Sequence, residues 1–200
     1  TAALQDVVVH LVKGISQYAH LARQLGQANP DIDVFVVQAL FTTVTNVDFD
    51  PDSVERVARR AVEMRDRAAK LYSDAAAEAG IEPDAPTGPA EFQLADTRDE
   101  IIRERERISI SRRMHDLGED VVGLQELILY GLKGAAAYAD HAHVLGRDDD
   151  AIYARFHETL SWLAEQPTDV EALTAKALET GELNLQVMGL LDATHTGTYG

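Results

Sequence analysis

Leu4 to Gly26 reads LQDVVVHLVKGISQYAHLARQLG, and Leu124 to Gly146 reads LQELILYGLKGAAAYADHAHVLG. The two stretches match at a constant offset of 120 residues: Leu4-Gln5-Asp6 with Leu124-Gln125-Glu126, Lys13-Gly14 with Lys133-Gly134, Tyr18-Ala19 with Tyr138-Ala139, and Leu25-Gly26 with Leu145-Gly146. Self-similarity at a fixed offset is the mark of a duplicated structural unit. Within the first copy, Leu4, Val8, Leu11, Ile15, Tyr18, Ala22 and Leu25 recur at alternating steps of 4 and 3, which lays them on one stripe of a helix. The run Val7-Val8-Val9 favours a strand locally, but that preference is worth only about 1 kcal/mol and the helical stripe continues through it.

Outward from that helix, a second helix is expected from about Asp31 to Asn46, opening near Pro30 and turning Phe35, Ala39 and Leu40 inward. Asp50-Pro51 supplies an N-cap carboxylate followed by proline at the first helical position. Val54, Val57, Ala61, Met64, Ala68 and Leu71 then mark a third amphipathic helix. The repeat continues at shifted offsets into the second half, where Thr168-x-x-Glu171 reads as a capping box. Between the halves, Gly80 to Pro89 is rich in glycine and proline, and eight of the ten residues from Arg98 to Arg107 are charged. These features predict a loop and a solvated helix held by pairs such as Asp99 with Arg103. The expected fold is all-α: two pseudo-repeated three-helix bundles, residues 1–80 and 119–200, joined by a Pro/Gly and charged linker over 81–118.

Composition narrows the function. The chain has 200 residues, 46% hydrophobic and 26% charged, enough to bury a core without staples. A net charge of −16 repels phosphate backbones and anionic lipid heads, so neither nucleic acid nor a membrane surface is an expected partner. The longest uncharged stretch, Val34 to Val47, is 14 residues and carries five polar side chains, short of the roughly 18 a spanning helix needs. The absence of cysteine removes disulfides, thiol nucleophiles and the thiolate ligands of iron–sulfur clusters. The chain opens at Thr1 without a leader pattern, which suggests an excised or processed piece.

A carboxylate-bridged metal pair in a helix bundle would need Glu-x-x-His, and none of the seven histidines has Glu three residues before it. His141 and His143 point about 200° apart on a helix and cannot share an ion. Solvated or capping histidines are the expectation, as is a solvated face at Glu100, Glu104 and Glu106. Gly14 and Gly134 each cost a helix about 1 kcal/mol, and close helix approach is the expected reason for both. Tyr18 and Tyr138 are expected in the core. One asymmetry stands out: Thr42-Thr43-Val44-Thr45-Asn46 ends the second helix where the other half carries the apolar Leu160, Trp162 and Leu163. Burying those polar groups costs about 1–3 kcal/mol each unless they are paired. A hydrogen-bonded helix end and the wall of a polar cavity both satisfy that condition.

Four strings carry a family resemblance: LQDVVVHLVKGISQYA (Leu4 to Ala19), ALFTTVTNVDFD (Ala39 to Asp50), LQELILYGLKGAAAYADHAHVLG (Leu124 to Gly146) and MGLLDATHTGTYG (Met188 to Gly200). Together they resemble the amino-terminal helical domain of the hybrid cluster protein family, also called prismane proteins or hydroxylamine reductases. The resemblance covers nearly the whole chain and is weak only over Glu78 to Asp116. It implies a cytoplasmic oxidoreductase that reduces hydroxylamine or nitric oxide. It further implies an iron–sulfur cluster and a hybrid iron–sulfur–oxygen cluster in the full-length parent, both ligated outside this segment, with cluster-binding α/β domains of the same parent chain as partners. The segment itself then holds no cofactor, is inactive alone and serves as scaffold. Of its residues, the resemblance carries over only Thr45 and Asn46, as wall of the substrate cavity beside the hybrid cluster. His195 stands where relatives usually have Asn. A stand-alone, cluster-free helical protein that binds a partner is the alternative, and an enzyme nearer to carbon monoxide dehydrogenase is a third reading.

Overall fold

The computed structural model describes residues 1–44 and 48–199, the last two of these by backbone alone. Among the described residues there is no strand, and the all-α expectation is met. The helices are α1 (Ala2–Gln24), α2 (Pro30–Thr42), α3 (Pro51–Ala79), α4 (Arg98–Glu104), α5 (Ile110–Leu117), α6 (Glu119–Val144), α7 (Asp150–Ala164) and α8 (Val170–Tyr199), with 3-10 turns at Gly88–Glu91 and Arg105–Ile108.

Local chemistry sets the ends. Asn29 accepts from the backbone N–H groups of Asp31 and Ile32 ahead of Pro30, and Asp50 does the same for Asp52 and Ser53 ahead of Pro51. Gly26 (φ 79°) and Gly80 (φ 68°) adopt the left-handed conformation that closes α1 and α3. At α8 the expected cap is displaced by one residue. Asp169, not Thr168, accepts from the backbone N–H of Ala172 at 2.7 Å, because a carboxylate nearer the first turn meets the helix dipole directly.

Helix α1 packs against α3 and α6 against α8, each pairing lying within one half of the chain. The second helices cross over: α2 lies against α6 and α7 against α1. One continuous core results, drawing Leu11 and Ile15 of α1, Leu40 of α2, Leu132 of α6 and Phe156 of α7 into the same cluster. Each such side chain contributes about 1.5–3 kcal/mol of burial.

The segment between the halves docks on both. Gln17 donates to the carbonyl of Thr87 (3.1 Å) and accepts from the N–H of Ala90 (3.0 Å), Tyr72 accepts from the N–H of Asp84 (2.9 Å), and Arg65 donates to the carbonyl of Phe92. Gly14 is what admits this strap. A Cβ there would collide with the Pro89 carbonyl oxygen and stand 2.7 Å from its carbon. The close approach expected at Gly14 is therefore to a crossing turn and not to a helix. At Gly134 the expectation fails, since the nearest atom to a Cβ there would be the Asn184 amide oxygen at an ordinary 3.6 Å. The tight glycine of α6 is Gly131, one turn earlier, against the Thr180 methyl at 2.7 Å.

Three further expectations are corrected. The charged helix α4 is anchored by long-range pairs, Arg98 with Glu55 (2.7 Å) and Asp52, followed by Arg105 with Asp6 (2.7 Å), and it buries Ile101 completely. Its own pair is Arg103 with Glu100, and Glu104 is half-buried and not solvated. Tyr138 is 44% exposed and does not join the core. Tyr18 does pack against the core.

Candidate functional site

The polar end of α2 resolves in part. Thr42 Oγ1 donates to the carbonyl of Ala39 and Thr43 Oγ1 to that of Leu40, both at 2.7 Å, so these two hydroxyls occupy the last carbonyls of the helix. For them the helix-end alternative holds. Thr45 and Asn46, the expected cavity-wall residues, lie outside the described residues. The chain after them is tied to the start of α1: Thr1 donates to the carbonyl of Phe49 (3.1 Å) and Gln5 to that of Asp48 (3.2 Å).

A second polar constellation, unforeseen in the sequence, lies in the crossover between the halves. His157 of α7 is fully buried. Its Nδ1 lies 3.1 Å from Ser16 Oγ of α1, and its Nε2 lies 2.8 Å from Asp33 Oδ1 of α2. Asp33 Oδ2 accepts from Arg23 at 2.7 Å, and Arg23 also donates to Asp150 at 2.7 Å. Burial alone would raise the Asp33 carboxyl, but the hydrogen bonds and charges of His157 and Arg23 outweigh it and hold the group below its usual range. The order serine, histidine, aspartate is that of an activated nucleophile. Here Ser16 is sealed from solvent, so a substrate has no approach and the group serves as a polar tie between three helices. The solvated reading of the histidines fails at His157. It follows Phe156 on a helix face that continues to Leu160, and that placement among apolar neighbours was the available signal.

The third feature is a recess of about 180 Å³ where α1, α5 and α6 meet beneath the 105–108 turn. Lys13 and Lys133, the lysines of the two Lys-Gly matches, both line it. Burial pushes the Lys13 ammonium down to about 8, with Arg113 and Lys133 adding to the effect and Glu126 opposing it. Lys133 is lowered as well, again by burial first. His10, edge-on to Phe92 with ring centres 4.9 Å apart, is pushed down to about 4 by burial, then by Lys13 and Arg113. The lysine repeated beside each glycine is the signal that the sequence carries for this recess.

The donor set does not fit an iron–sulfur cluster. The sequence has no cysteine, and among the described residues no three His, Asp or Glu side chains are grouped to hold a metal ion. Nor is any described helix long and apolar enough to cross a membrane. Large apolar side chains stay exposed in a stripe on α8, with Leu178 70%, Leu185 71% and Met188 49% exposed, and Leu127 and Tyr130 are exposed on the neighbouring α6.

A sequence model of the Prismane/CO dehydrogenase family matches residues 1–200. Among similar proteins, the hydroxylamine reductase of Rhodospirillum rubrum is 48% identical over 199 residues, that of Acidithiobacillus ferrooxidans 44% over 200, and that of Escherichia coli O9:H4 40% over 201. Each alignment covers 100% of this chain and 36% of the relative, so the chain spans about a third of the length of the proteins it matches.

Proposed function

The chain belongs to the Prismane/CO dehydrogenase family, and on that premise we propose that it is the helical domain of a larger iron–sulfur oxidoreductase that reduces hydroxylamine or nitric oxide. The observation that carries the reading is the pairing of an end-to-end match to hydroxylamine reductases with a donor set that has no thiolate. The clusters are held elsewhere in the parent, and this domain supplies scaffold. The relatives' names favour hydroxylamine over carbon monoxide as substrate.

In this reading the two halves, 1–80 and 119–200 with the linker 81–118, arose by duplication, and the pairings of α1 with α3 and α6 with α8 support that division. The exposed leucine and methionine stripe on α8 supports a face onto which the parent's α/β domains pack, since a large apolar stripe left in water favours coverage. Thr45 and Asn46 wall the substrate cavity, and the protein works in the cytoplasm. No step of the electron transfer is assigned to residues of this chain.

Iron analysis tests the proposal. After anaerobic reconstitution and desalting, the isolated 200-residue chain is expected to be colourless and to hold no stoichiometric iron, while the full-length parent holds both clusters. One or more tightly bound iron atoms on the isolated chain would overturn it.

A further inference from the structure

The recess between α1, α5 and α6 contains an imbalance of charge that the scaffold role does not use. Five cationic side chains line it, Lys13, Arg107, Arg112, Arg113 and Lys133, against the carboxylates Asp6, Asp116 and Glu126. Every one of those carboxylates is already taken by an arginine: Asp6 by Arg105 (2.7 Å), Asp116 by Arg112 (2.8 Å) and Glu126 by Arg113. Among the described residues, Lys13, Lys133 and Arg107 have no carboxylate within ion-pair distance. The Lys133 ammonium rests over the Tyr130 ring at 5.6 Å, a contact that supports a cation without neutralising it.

Glu126 draws on Lys13 and, with Asp6, on Lys133, but both carboxylates are already paired with arginines, so the lining keeps an excess of cations, in a chain of net charge −16. The lysines come from matching positions of the sequence repeat, one on α1 and one on α6, so the packing brings both ammonium groups to one place. A lysine ammonium is a point-charge donor suited to oxyanions, and a guanidinium adds a planar fork. About 180 Å³ is less than the roughly 300–1,000 Å³ of pockets that take organic ligands, yet it admits a tetrahedral ion with a few waters. His10 lies in the same recess, where burial first, then Lys13 and Arg113, disfavour its proton.

We propose that this recess binds a small inorganic oxyanion of the phosphate or sulfate class, held by Lys13, Lys133 and Arg107. The site is separate from the redox reading and does not rest on it.

Calorimetric titration of the full-length protein with sodium sulfate and with sodium phosphate, at ionic strength held constant with chloride, tests the site. One saturable site is expected. Lys13→Gln and Lys133→Gln should each weaken it at least tenfold, and Arg107→Gln, at an exposed position that the fold tolerates, should weaken it severalfold. The thermal midpoint should rise with sulfate in the wild type and stay fixed in the double lysine variant, whose midpoint in chloride alone should equal or exceed the wild type's. No saturable binding by the wild type would overturn the proposal, including the case in which a carboxylate of the parent's other domains fills the recess. Binding unchanged by all three substitutions would overturn it as well.

Discussion

Asp33 Oδ1 and His157 Nε2 meet 2.8 Å apart in the interior, one contributed by the first half of the chain and the other by the second. With Ser16 and Arg23 they form the polar part of an interface whose core is otherwise apolar. Removing one member of a buried ionic group strands the others. Asp33→Ala is expected to cost on the order of 3 kcal/mol, and urea unfolding of variant and wild type measures it. A loss under about 1 kcal/mol would mean that the tie is incidental.

The same carboxylate gives an acid limit. Its folded-state proton affinity is depressed, so the stability it contributes is present above the unfolded carboxylate value of about 4 and is lost as pH falls through the lower folded value. The stability gap between wild type and Asp33→Asn should therefore hold from pH 7 to 5 and narrow below pH 4, read by urea midpoints across that range.

His10 works over a higher window. Folded, it accepts a proton only near pH 4; unfolded, near 6.5. Between those values the unfolded chain binds the extra proton, so stability falls as pH drops from 6.5 to 4, by up to about 3 kcal/mol. His10→Phe should flatten that slope. A slope unchanged in the variant would locate the acid sensitivity elsewhere.

Glycines at matching repeat positions should behave differently. Gly14→Ala pushes a methyl group into the Pro89 carbonyl and is expected to cost about 1–3 kcal/mol. Gly134→Ala meets only an ordinary contact and should be neutral or gain up to about 1 kcal/mol of helix propensity. Thermal unfolding of the two single variants checks the contrast.

What was legible in the sequence follows from what periodicity encodes. The stripes over Leu4 to Leu25 and Val54 to Leu71 gave α1 and α3, and Asp50-Pro51 gave the start of α3, because a helix and its cap are local. A stripe reports that a face is buried without naming what covers it, so the crossing of α2 onto α6 and α7 onto α1 was not readable. His157 escaped for a related reason: its partners Ser16 and Asp33 are 141 and 124 residues away. The strap over Gly14 reads as a loop in the sequence because its bonds run to the distant side chains Gln17, Arg65 and Tyr72. Thr45 and Asn46 were reached through family resemblance alone.

Those two residues carry the next prediction. In the full-length enzyme Thr45→Val conserves shape, so a cavity-wall role predicts lowered hydroxylamine turnover per intact cluster with an unchanged thermal midpoint. A lowered midpoint with unchanged turnover would make Thr45 a helix-end residue like Thr42 and Thr43.

The central claim is that this chain is the scaffold domain of a hydroxylamine-reducing parent, and anaerobic steady-state turnover tests it most directly. With a reduced viologen as electron donor, the full-length protein is expected to convert hydroxylamine to ammonium, and the 200-residue chain, folded by its helical circular dichroism, is expected to show no rate above buffer. Turnover by the isolated chain, or none by a cluster-loaded parent, would contradict the account.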